Sequence, residues 1–241
     1  MRATTARLYA VITADVVASS GVPGFTRLRD QKLGRLSTEH LQQKLVLQPY
    51  TVTTWDEFQN VLTDMAHAPQ VIWDLRRLMF PLALRIGVGI GRILEPLRPP
   101  INTLAGGQAF ELAREALDRV QAGKGQKFPR FTRFRSVDAK FEQLANLIYG
   151  LHDTLLAKVT EKQWATICVQ VRTRSQDDTA RKLRVKKSTV SRNLQRGFYW
   201  QMEETVEVMR GILREFFPVA QKHATLEDRT SSCNQAQFRS S

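Results

Sequence analysis

The sequence predicts an α+β protein in which a sheet domain is followed by an all-α domain. Three observations predict it. Apolar runs of strand length alternate with helix-period segments through residues 1–136. Two short helical patterns flank a tight break at Arg184-Val185-Lys186. The charge is also uneven. The 241 residues carry 36 Lys and Arg against 23 Asp and Glu, a formal net of +13, and ten of the bases face only three acids between Thr160 and Gly197. An excess of that size favours a polyanion, either nucleic acid or an anionic membrane surface. The patterns divide the chain into a sheet domain (1–136), a connecting helix (137–159), a helix-turn-helix domain (160–217) and a polar, disordered tail (218–241).

Leu8–Ala14 reads as a buried strand ending at Asp15, followed by the loop VVASSGVPG. Thr26–Leu47 reads as a helix that buries Leu28, Leu33, Leu36, Leu41 and Leu45. Gln48–Leu62 reads as a hairpin that breaks at Trp55-Asp56 and places Asp56-Glu57 at its tip. Ala68–Phe80 is a second helix, stopped by Pro81. Leu82–Leu94 is a buried strand thinned by Gly87, Gly89 and Gly91, the pattern expected where a helix packs closely on a sheet. Pro96, Pro99 and Pro100 mark a loop, and Gly106-Gly107 opens a helix over Gln108–Val120. Ala122–Lys127 is a flexible break, and Phe131–Ser136 is a last strand. Strands alternating with helices, with a hairpin among them, make a ferredoxin-like sheet.

Val137–Val159 is a long helix with a wide apolar stripe: Phe141, Leu144, Leu147, Ile148, Leu151, Leu155 and Leu156. The stripe suits core packing and pairing with a second copy equally well. Glu161–Val171 offers Trp164, Ile167, Cys168 and Val171 as one wall of a small core. Gln176–Leu183 contributes Thr179, Ala180 and Leu183, with Ala180 as the small residue at the helix crossing. Val185 supplies an apolar residue after the turn, and Val190 and Leu194 point inward from the next helix. Its outward face then carries Lys187, Ser188, Thr189, Ser191, Arg192, Gln195 and Arg196. With Lys182 and Lys186, these groups suit the phosphates and base edges of double-stranded DNA. Two positions depart from the usual pattern. Arg184 stands where such turns commonly carry Gly, and Lys186 stands where an N-cap Ser or Asn is usual. Phe198–Phe217 is a further amphipathic helix, ended by Pro218.

No apolar run approaches the length of a membrane span, so no membrane partner is expected. The first seventeen residues read as a strand rather than a signal peptide. Two cysteines, Cys168 and Cys233, and four scattered histidines exclude a disulfide framework and a zinc site of ordinary spacing. A cytoplasmic location is expected from that cysteine usage.

Asp15, Asp56-Glu57 and Arg85–Gly91 form a constellation of their own. Two carboxylates on neighbouring strands are the hard oxygen donors that hold Mg²⁺ against phosphates. The loop Val16, Val17, Ala18, Ser19 and Ser20 is small enough to bring N–H groups to a phosphate. The segments TADVVASS, TTWDEFQ, LRIGVGIGRI and GGQAFELAREAL occur in the order and spacing of class III nucleotidyl cyclase domains, which they resemble. That domain followed by a helix-turn-helix is similar to the SatD family of bacterial regulators, over residues 8–217. The resemblance implies a cyclase-like sheet, Asp15 and Asp56 as metal ligands, Arg114 as a nucleotide contact, and Mg²⁺ arriving with a nucleotide. Three positions depart from the cyclase pattern. Phe110 replaces its Asn, Trp55 replaces the hairpin Gly, and Ala18 replaces a Gly after the first Asp. A two-residue hairpin loop would demand a positive φ that Trp tolerates badly. The reading is therefore a dimeric DNA-binding transcriptional regulator whose first domain senses a nucleotide or dimerises. A cyclase or related phosphoryl-transfer enzyme and an RNA-binding protein are the alternatives.

Overall fold

In the computed structural model, which describes residues 6–94, 97, 107–122 and 129–218, the first strand, β1, runs over Ala6–Val16. From Tyr9 to Val16 it is buried on both faces, and it lies in the middle of the sheet. After it come α1 (Phe25–Gln42), β2 (Thr51–Val52), β3 (Glu57–Val61), α2 (Ala68–Met79), β4 (Leu84–Leu94), α3 (Gln108–Gln121) and β5 (Thr132–Ser136). The sheet order is β2-β3-β1-β4-β5. Each of the first four strands is antiparallel to its neighbours among them, with the β2-β3 hairpin beside β1, which is the arrangement of the expected ferredoxin-like sheet. The α3 crossover then adds β5 parallel to β4, as a crossover helix allows.

Alternation sorts the side chains of the sheet onto two faces. Ala10, Ile12, Ala14 and Val16 join Phe58, Ile86, Val88, Ile90 and Phe134 in the main core under α1 and α2. Tyr9 and Val11 face the other way, with Val61, Ile93, Ala109, Phe110 and Ala113, toward α3. The glycines of β4 let α3 lie on bare backbone. A Cβ on Gly89 would stand 2.2 Å from the Ala109 carbonyl oxygen and 2.2 Å from the Ala113 nitrogen.

Four expectations are corrected. α1 stops at Gln42, five residues short of Leu47, and Lys44 (φ 55°) turns the chain. Leu45 is buried beyond the helix, whereas Leu41 is 37% exposed. Glu57 is not at the hairpin tip but is the buried first residue of β3. Trp55 needs no positive φ, because four residues, Thr53–Asp56, separate the two strands. Pro96, Pro99 and Pro100, residues 123–127 and the tail beyond Pro218 lie outside the described residues.

The next helix, α4 (Ala139–Leu156), starts at Asp138, whose side chain accepts from Phe141 N. It runs along the outer edge of β5 and satisfies that edge with side chains. Asn146 accepts from Phe134 N and donates to Phe134 O, both at 2.9 Å. Asp153 Oδ2 accepts from Phe131 N at 2.6 Å and Thr132 N at 2.7 Å, and Glu142 accepts from Ser136 N at 3.1 Å. An edge sealed in this way does not recruit another strand. The apolar stripe of α4 is therefore divided. Phe141, Ala145 and Tyr149 enter the core, while Leu144, Leu147 and Leu151 face outward.

Four more helices complete the described chain: α5 (Glu161–Thr173), α6 (Gln176–Leu183), α7 (Lys187–Arg196) and α8 (Tyr199–Phe216). Thr160 and Gln163 form a reciprocal capping box on α5, and Ser175 caps α6. Ile167, Ala180, Val190 and Leu194 form a second core, as the spacing predicts. Val185 stays 41% exposed, so the residue after the turn does not enter it. This core also takes in Trp73 from α2 and Leu156 from α4. Its last members, Tyr199, Met202 and Val206, come from the first half of α8. Met209 and Leu213 from the second half, with Phe217, enter the main core instead.

Candidate nucleic-acid interface

Burial of Val190 and Leu194, one turn apart, fixes how α7 is rolled. Lys186, Lys187, Ser188, Ser191, Arg192, Gln195 and Arg196 are then exposed together, with Lys182 of α6, while Thr189 is half-buried. The segment KSTVSRNLQR contains no acid. Neighbouring acids are few and on α6: Asp177 accepts from Lys187 Nζ at 2.8 Å, and Asp178 pairs with Arg181. Both pairs are solvent-exposed and each is worth at most about 1 kcal/mol. Arg192 Nε is folded back onto Ser188 O at 3.2 Å.

The turn before α7 is held by Val185 N donating to Ala180 O at 3.0 Å. Arg184 sits there at φ 54°, ψ 44°, the left-handed conformation that costs a side-chain-bearing residue about 1–2 kcal/mol. Lys186 caps α7 without a side-chain hydrogen bond. The first N–H groups of the helix, at the positive end of its dipole, thus point out beside Lys186 and Lys187, which suits an anionic oxygen.

The carboxylates of the sheet domain are brought together, but around arginines. Asp15, at the end of β1, stands opposite Glu57 of β3 on one side and Arg85 of β4 on the other. Val16 N donates to Asp56 O at 3.2 Å, so Asp15 and Asp56 lie at adjacent strand ends. Arg85 grips both oxygens of Asp15, at 3.1 and 2.6 Å, and Gln121 of α3 adds a third donor at 3.2 Å. Burial pushes the Asp15 carboxyl above its ordinary value, against the opposing pull of Arg85. Asp56 accepts from Ser19 Oγ at 2.9 Å. Arg114 pairs with Glu57 and, at 3.0 Å, with Asp118. Burial alone would lower the Arg114 guanidinium, but the two carboxylates hold it above its ordinary value.

This cluster pins α3 to the sheet, and as arranged it does not fit a divalent ion. Only two candidate carboxylates meet, and both oxygens of Asp15 are taken. Among the described residues no group of three His, Cys, Asp or Glu gathers to hold a metal. The Val16–Ser20 loop is also partly spoken for. Val16 N and Val17 N bond Asp56 O and Ala83 O, and Ala18 adopts φ 53°. Phe110 is buried in the apolar cluster beside β1. Trp55 packs its ring 4.8 Å from Phe25, and its carbonyl accepts from Arg29, which fastens the hairpin to α1. Arg85 and Gln121, which oppose the lift that burial gives Asp15, carry no local signal in the sequence as its partners.

The family model of the SatD family matches residues 9–197. No curated protein matches the chain. Among solved structures, a bacterial light-regulated adenylyl cyclase aligns with a TM-score of 0.38 and 14% identity, over 55% of this chain and 44% of its own. The chain thus spans less than half of that protein. A regulator of polyketide synthase expression from Bifidobacterium adolescentis aligns with a TM-score of 0.30 and 14% identity, over 86% of this chain and 82% of its own. Among the described residues no helix is long and apolar enough to cross a membrane.

Proposed function

The chain belongs to the SatD family, and for this member we propose a DNA-binding regulator in which α6 and α7 form a helix-turn-helix and α7 enters the major groove. One observation carries the reading: the outward face of α7 is exposed, basic and free of acids. Lys182, Lys186 and Lys187 contact phosphates, so affinity falls steeply with salt as counterions are released. Arg192, Gln195 and Arg196 reach base edges, Arg toward guanine and Gln toward adenine. Ser188, Thr189 and Ser191 line the approach.

The test is selection of genomic duplexes bound by the full chain, followed by anisotropy titration at several salt concentrations. Arg192→Ala is expected to cost about 1–3 kcal/mol at its base pair. The Lys187/Arg192/Arg196 triple alanine variant is expected to lose specific binding altogether. Equal binding by that variant and the wild type would sink the reading.

The sheet domain is the regulatory and dimerising half. The protein acts as a dimer through Leu144, Leu147 and Leu151 of α4, because one helix-turn-helix rarely makes enough contact for a specific site. Leu147 and Leu151 are 62% and 64% exposed, so both are available to a second copy. The cyclase alternative finds less support, because Arg85 occupies the carboxylate that a metal would need.

A further inference from the structure

We propose that the cleft between α2, α5 and α8 is a binding site for a small organic cation with an apolar body. The cleft has a volume of about 410 Å³, within the range of small-molecule sites. Trp73, Tyr199 and Trp200 wall it, together with Glu203 and Glu207, one turn apart on α8. Tyr199 and Trp200 meet edge to face, with centroids 4.7 Å apart and planes at 66°. Two ring faces at that angle, beside carboxylates, form the surroundings in which an ammonium group is held by ring quadrupole and charge together.

Three details sharpen the assignment. Trp200 is 53% exposed at the mouth, although it is the largest kind of apolar side chain. Trp73 is 3% exposed, so it lines the cleft from its buried side. Glu203 is half-buried, and burial pushes its carboxyl above its ordinary value, with Trp73 and Arg77 opposing only in part. Glu207 is held by Arg210 at 2.9 Å, so Glu203 is the carboxylate with most to gain from an incoming cation. Arg174 also lines the cleft but is exposed to solvent, where its repulsion is screened. In a chain of net charge +13, the lining of this cleft gathers two acids and three aromatic rings with one base. The site does not depend on the DNA-binding reading, and either can fail without the other.

The experiment uses the full chain and three probes of one shape: 2-phenylethylamine, 2-phenylethanol and 3-phenylpropionate. Binding is read by calorimetry and by tryptophan fluorescence. The amine is expected to bind saturably and about tenfold tighter than the alcohol, and the acid not at all. Glu203→Gln should cost the amine about tenfold while leaving the alcohol unchanged. Trp200→Ala, at the exposed mouth, should weaken the amine severalfold and carries the test if Glu203→Gln fails to fold. No saturable binding of the amine up to about 10 mM, acid binding as well as amine, or unaltered affinity in Trp200→Ala overturns the proposal.

Discussion

Single residues carry the sharpest stability consequences. Gly89→Ala should destabilise by roughly 1–3 kcal/mol or more, because the atoms facing the new methyl are the backbone of α3 and cannot step aside. Gly34→Ala, in the exposed middle of α1 with nothing near it, should instead gain about 0.5–1 kcal/mol. Urea titrations that move both variants in the same direction would contradict the close contact of α3 and β4. Glu203 gives a pH prediction. Its folded-state pKa is raised by burial, so the native state holds the proton more tightly than the unfolded chain does. Its effect on stability is absent below the ordinary value of 4.5 and grows unfavourably as pH rises from there through the raised value. Glu203→Gln should therefore match the wild type in acid and exceed it at neutral pH. Denaturation curves across that range that show the reverse order would refute it. At this scale the sequence was informative about backbone and silent about pairing. Ala18 and Arg184, which stand where Gly is usual, are both left-handed. Trp55, which also stands in place of a Gly, is not, because its loop is four residues long rather than two. Arg85 lay in plain view within a motif, but its hold on Asp15 depends on cross-strand register, which no local pattern encodes.

Elements were legible where periodicity defines them. All five strands and eight helices of the described chain correspond to patterns read from the sequence, with ends shifted by a few residues. What α4 does with its polar side chains was not legible, because a strand edge exists only once the sheet is assembled. Asp153 is the clearest case. It is fully buried, takes the backbone N–H groups of Phe131 and Thr132 at the start of β5 and lies 3.8 Å from the buried guanidinium of Arg76. Asp153→Ala should cost roughly 3–5 kcal/mol, since it leaves a buried charge and two donors unpaired. Asn146→Ala, which removes two neutral hydrogen bonds on the same edge, should cost about 1–3 kcal/mol. Equal losses for the two variants, measured by chemical denaturation, would mean that Arg76 and Asp153 are not coupled.

For the molecule as a whole, the sequence placed a sheet before a helical unit but implied two separate cores. The structure joins them, since Trp73 of α2 packs among the helices of the second unit. That residue was hidden because its helix reads as an ordinary amphipathic element of the sheet domain. The dimer proposed through α4 is tested at this scale. Leu147→Glu with Leu151→Glu should convert a sedimenting dimer to a monomer without loss of fold, because both side chains are exposed. A wild type that sediments as a monomer at micromolar concentration, with and without DNA, would remove the dimer from the reading.

The division of α8 between the two cores also sets the kind of motion available. A rod rooted at Met202 in one core and at Leu213 in the other offers no hinge about which the sheet and α7 could swing apart. Any change in the sheet reaches α7 as shear, a slide or roll of α8 by a fraction of a turn past α2, with both cores staying packed. A regulator built on this rod would therefore re-aim Arg192 and Arg196 by an ångström or so, and its signal would be read as a change in which bases they meet rather than as an opening of the molecule.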